Sequence, residues 1–155
     1  MSIRCEYAVL VPHPTLSIRV SATATEMPTI FAKGYRQILQ YLNEIKVEPT
    51  GEQFAIYYTL DLRHLDVEFG YPVSKVLPDK GNIKSSETPS GKAVKCLHIG
   101  AYNQVQSSYR ALTEWIKDNG YEAEGIAYEK YLSNLISTSP EHLKTEVYQL
   151  IMSVK

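Results

Sequence analysis

Leu16, Ile18 and Val20 alternate with Ser17, Arg19 and Ser21, which is the two-residue period of a half-buried strand. The pattern predicts a strand over residues 16–25 and another over 5–11, separated by a turn at Pro12-His13-Pro14. From residue 27 to 45 the spacing changes. Phe31, Tyr35, Ile38, Leu42 and Ile45 form one stripe of a helix. A second stripe, Val105, Tyr109, Leu112 and Ile116, ends at Asn119-Gly120, a C-terminal stop signal. Further strands are expected at 53–60, 66–73, 91–99, 125–132 and 145–152. Residues 78–90 are rich in Pro, Gly, Ser and Lys and read as a connection, with room for one short strand in their N-terminal part.

The chain repeats itself. Tyr35-Arg36 to Glu44 and Tyr109-Arg110 to Asp118 share the pattern Tyr-Arg-x-Ile/Leu-x-Gln/Glu-aromatic-Leu/Ile-x-acid, 74 residues apart. Two weaker echoes follow in the same order. One sets Ala55-Ile56-Tyr57-Tyr58 against Ile126-Ala127-Tyr128-Glu129, the other Val67-Glu68-Phe69 against Thr145-Glu146-Val147. Three ordered blocks predict two similar halves in one domain spanning 1–155. The halves are about 1–77 and 91–155, joined by 78–90. Consecutive strands on short turns pair antiparallel, so the expected class is α+β: duplicated βαββ units, an antiparallel sheet and two helices on one face.

Composition narrows the picture. A chain of 155 residues suits one domain, burying roughly 70% of its unfolded surface. A net charge of −1, with both signs dispersed, offers no footprint for nucleic acid or an anionic membrane. No apolar run nears the roughly 20 residues that cross a bilayer, and no leader pattern precedes residue 12. Cys5 and Cys96 fit no metal or redox spacing, and the simplest reading is a reduced, cytoplasmic protein. Twelve of the sixteen aromatic residues are Tyr, each with a flat apolar face and a polar tip.

Glu129 is the leading candidate for chemistry. Strand alternation sets Ala127, Glu129 and Tyr131 on one face, and the repeat equates them with Ile56, Tyr58 and Leu60. An enclosed carboxylate on such a face has a raised pKa unless a cation lies near, and a cationic ligand with Tyr58, Tyr131 and Trp115 as π faces fits that role. An edge glutamate, paired with lysine or solvated, fits the spacing as well. Glu68 and Glu146 recur in both halves and read as structural. The tyrosines of the two Tyr-Arg pairs read as helix packing with arginine at the stripe's edge. His13, His64, His98 and His142 lie at no metal-ligand spacing, so no metal is expected, and His98 alone is weak evidence for a haem. No nucleophile elbow, phosphate loop or dinucleotide fingerprint occurs.

Gly91-Lys-Ala-Val-Lys-Cys-Leu-His-Ile-Gly-Ala-Tyr102, the helix bearing Trp115, Ala127-Tyr-Glu-Lys-Tyr131 and Thr145-Glu-Val-Tyr148 follow one another in an order that resembles the gyrase-inhibitor-like effector-binding domain. The resemblance covers most of the chain. It implies a duplicated βαββ fold with a curved antiparallel sheet, pseudo-twofold symmetry and a ligand pocket near that axis. It also implies that Glu129, at the position of a buried acid that holds lipophilic cations, binds ligand. Tyr58, Tyr131, Trp115 and Tyr102 would line or border the pocket. The last strand departs from the pattern, with Leu150-Ile151-Met152 in place of a proline-containing ending. About fifteen residues precede the matching region, so the expectation is a stand-alone module without a DNA-binding helix.

The functional expectation is binding of an amphipathic organic molecule, a lipophilic cation among the candidates, with no cofactor, direct nucleic-acid contact or membrane. One alternative is a hydrolase of strained-ring genotoxic compounds, with Glu129 and the hydroxyl of Tyr131 or Tyr58 as its catalytic set. The other is a protein-interaction module like the gyrase inhibitor that gives the family its name.

Overall fold

A computed structural model describes residues 3–59, 61–133 and 138–153. Its elements run β1 (Cys5–Leu10), β2 (Pro14–Ala22), α1 (Met27–Glu44), β3 (Phe54–Tyr57), β4 (Leu65–Pro72) and β5 (Lys84–Glu87). There follow β6 (Gly91–Ile99), α2 (Gln106–Asp118), β7 (Tyr121–Tyr131) and β8 (Lys144–Ser153). The named strand pairs are antiparallel. The class is α+β, and the order is β-α-β-β written twice. Leu60, expected at the end of a strand, lies outside the described residues.

The chain divides into two units, Val11–Pro89 and Met1–Leu10 with Ser90–Lys155. In Val11–Pro89 the strands lie in the order β3-β4-β2-β5. Pro28 begins α1 within its first turn, where a missing N–H is harmless. The helix lays Tyr35, Ile38 and Leu42 over the strands. Phe69 of β4 receives Phe31 and Tyr35 edge-on, each with ring centroids 5.0 Å away.

Gly34 makes that approach possible. A Cβ there would stand 2.4 Å from two ring carbons of Phe69. Gly34→Ala should therefore overpack the site and cost about 1–2 kcal/mol despite alanine's better helix propensity, a loss that denaturant unfolding would measure.

In the other unit the order is β1-β6-β8-β7. Leu112 and Ile116 of α2 join Val94, Cys96, Val105, Val147 and Ile151 in a buried apolar cluster. The helix ends where the sequence stop stands: Asn119 Nδ2 donates to the carbonyl of Trp115 at 2.8 Å, and Gly120 has φ +73°. No helix among the described residues is long and apolar enough to cross a membrane.

Two expectations need correction. β1 does not pair with β2 across the Pro12–Pro14 turn; it pairs with β6, Leu10 opposite Gly91, while β2 pairs with β4 and β5. Residues 1–10 thus fall with the second unit rather than the first. Two prolines in three residues remove the N–H groups that a tight hairpin would use. The segment 78–90 also carries more order than a connection needs, and its strand lies late in it. β5 pairs with Pro14–Ser17, anchored by buried Ile83 and by Thr88, whose hydroxyl accepts from the His13 N–H at 2.8 Å.

Candidate functional site

β7 meets β8 with a shift of register between Ala123 and Ala127, where Gly125 takes φ +84°. Beyond the bulge, Ala127, Glu129 and Tyr131 stand opposite Gln149, Val147 and Thr145. Val147 belongs to the cluster under α2, so Glu129 lies on the face that the helix covers. Its exposure is 1%.

Three phenols close over the carboxylate. Tyr102 donates to Oε1 at 2.6 Å, Tyr131 to Oε1 at 2.7 Å, and Tyr109 to Oε2. The rings of Tyr102 and Tyr131 meet edge to face at 5.9 Å. Each donor comes from a different kind of element. Tyr131 is two residues along the same strand, Tyr109 is in the first turns of α2, and Tyr102 opens a short 3₁₀ turn, Tyr102–Gln104. Tyr102 is 37% exposed.

His98 holds that turn in place. It is buried on β6, opposite Thr145, with Nε2 2.9 Å from the carbonyl of Ala101 and Nδ1 3.1 Å from Oγ of Ser108. A carbonyl only accepts, so Nε2 carries the hydrogen, and in the neutral ring Nδ1 accepts from the serine. Both nitrogens are thus occupied by protein partners.

Burial pushes the Glu129 carboxyl above the ordinary carboxylate range; the three phenol donors and nearby His98 pull the other way without cancelling it. Among the described residues no Lys, Arg or His nitrogen forms an ion pair with it. No three His, Cys, Asp or Glu side chains converge as a metal site among those residues either.

Glu129, Tyr131 and Tyr102 are therefore together, and Trp115 and Tyr58 make contacts of their own with other side chains. Trp115 stacks on Tyr121 at 5.7 Å with the planes 10° apart. A groove of about 630 Å³ opens beside it, lined by Thr113, Ile116, Lys117, Gly120, Tyr121, Glu122, Ala123 and Gln149, with Glu129 not among them. Tyr58 donates to Glu68 at 2.7 Å, and Ser17 donates to the other oxygen of that carboxylate at 2.5 Å. Arg19 lies over the Tyr58 ring at 4.0 Å while pairing with Asp66 at 2.7 Å.

The repeat alignment that equated Tyr58 with Glu129 is off by three residues. Ala55 faces Phe69 across β3–β4 as Glu129 faces Val147 across β7–β8, and Phe69 and Val147 are equivalent. An odd shift turns a strand over, so Tyr58 falls on the face away from α1. The true counterpart of Glu129 is a fully buried alanine, and the acid has no copy in Val11–Pro89.

Tyr109 is the partner that sequence reasoning assigned to packing. Its repeat mate gives the clue: Tyr35 donates to the carbonyl of Phe54, the residue before Ala55. The shared Tyr-Arg pattern thus sets a hydroxyl over the next strand in both units. In one it finds a backbone oxygen, in the other a carboxylate.

A family model of the GyrI-like small molecule binding domain matches residues 16–151. Among solved structures, EcmrR in complex with DNA superposes with a TM-score of 0.85 at 21% identity, over 98% of this chain and 58% of that one. This chain thus spans a little over half the length of EcmrR. The isolated C-terminal domain of EcmrR gives a TM-score of 0.81 at 21% identity, covering 99% of this chain and 100% of that one. SAV2435 bound to tetraphenylphosphonium gives 0.63 at 12% identity, over 98% and 94%. At these identities the likeness is one of fold. Among curated proteins no sequence matches.

Proposed function

This chain belongs to the GyrI-like small-molecule-binding family, and from that premise we propose that it binds an amphipathic organic cation at Glu129. The observation that carries the reading is a carboxylate 1% exposed, bonded by three phenols and free of any ion-pair partner among the described residues. Such a group awaits a counter-charge, and a lipophilic cation supplies one without the water that an inorganic ion would bring. The rings of Tyr102, Tyr109 and Tyr131 add cation–π faces. Because the phenols cover both oxygens, a ligand reaching the carboxylate displaces at least one of them, and Tyr102 is the one at the surface. The tetraphenylphosphonium held by SAV2435 supports the choice of ligand class.

The raised carboxyl is also what a proton donor needs, which keeps a hydrolase as the second reading. Equilibrium titration with tetraphenylphosphonium and a neutral isostere, with product analysis on a strained-ring electrophile, separates the two. Saturable binding of the cation without turnover is expected. Turnover of the electrophile would favour the hydrolase, and no binding of either probe would leave an outer surface as the working part.

A further inference from the structure

Two thiols that have no part in the Glu129 site face one another. Cys5 of β1 stands directly opposite Cys96 of β6, and both are free. Directly opposed residues of an antiparallel pair have Cα atoms about 4.5–5.5 Å apart, within the span that a disulfide bridges. The two differ in access: Cys5 is partly exposed, whereas Cys96 is buried at 3%. Leu10 pairs with Gly91 on the same ladder, so the chain leaves and re-enters this pair of strands at adjacent positions. All of Val11–Pro89 lies between them.

We propose that Cys5 and Cys96 form a dithiol modification site that a small-molecule disulfide converts into a cross-strand bond. The thiolate of Cys5 attacks one sulfur of the reagent and releases one small thiolate. Cys96 gives its proton to solvent and displaces the second, closing the Cys5–Cys96 bond. The protein loses two hydrogens and two electrons, and the reagent takes them up as two thiols. The product ties off the whole Val11–Pro89 unit at its entry and exit and staples the edge strand β1 to β6. Burial raises both thiols, Cys96 to about 12, so the reaction should quicken steadily from neutral to alkaline pH.

The test is incubation of the whole chain with oxidised glutathione, followed by intact mass under non-reducing conditions. The expected product is a monomer lighter by about 2 Da, reversed by dithiothreitol, with a melting temperature about 5–10 °C above the reduced form. Cys96→Ser should stop at a glutathione adduct on Cys5, and Cys5→Ser should leave buried Cys96 unmodified. A wild-type adduct that persists, a disulfide-linked dimer, or no change after prolonged treatment at alkaline pH would each overturn the proposal.

Discussion

Glu129→Gln is expected to weaken tetraphenylphosphonium binding by about tenfold to a hundredfold, roughly 1.5–3 kcal/mol, the scale of a charge-assisted contact. Glutamine keeps the shape and an acceptor oxygen for Tyr102, Tyr131 or Tyr109, so the packing that places these rings should survive. What it removes is the charge. A neutral ligand of the same shape should change by less than about threefold, since its contacts are to rings rather than to the carboxylate. Isothermal titration of both ligands on both proteins gives the four numbers required. Equal weakening of cation and isostere would mean that the site works by shape. Loss of turnover on a reactive ring, with binding intact, would make Glu129 a proton donor instead.

The parts of the fold legible in the sequence were those in which apolar spacing decides the structure. The sequence bounds of Gly91–Ile99 match the strand to the residue and those of both helices to within a residue or two, because their stripes and stops are local signals. β5 was not placed, because Lys84-Ser-Ser-Glu87 carries no alternation and is held through backbone bonds to Pro14–Ser17. The partner of β1 was missed for a related reason: strand pairing between residues 5–10 and 91–96 is a contact at long range, and a two-proline turn resembles a hairpin loop on paper. At the site, alternation alone brought Glu129 and Tyr131 to one face. The hydroxyl of Tyr109 was illegible, because a tyrosine in a helical stripe packs equally well whether or not an acceptor waits beneath it. The pairing of Tyr58 with Glu129 rests on a three-residue slip in a weak repeat, which costs little in sequence similarity and inverts the face.

One carboxyl should produce two opposite pH trends. Cation binding requires the ionised form, and the ligand-free carboxyl has been pushed above its ordinary value of 4.5 by burial, against the pull of three phenols and His98. As pH is lowered, affinity for tetraphenylphosphonium should therefore begin to fall while still above the ordinary carboxylate range, approaching tenfold per pH unit once the acid is mostly protonated. Stability without ligand runs the other way. Between 4.5 and the raised value the native chain binds more protons at this position than the unfolded chain, so stability falls as pH rises through that window. Above it the cost is constant. Glu129→Gln removes the group, and both its ligand affinity and its melting temperature should lose these slopes, the second by gaining stability at neutral pH. Titration and thermal unfolding between about pH 5 and 8 measure the two trends, and the difference between wild type and variant isolates Glu129 from every other titrating group. Parallel curves for the two proteins would assign the pH dependence to those other groups and leave Glu129 an ordinary buried hydrogen-bond acceptor.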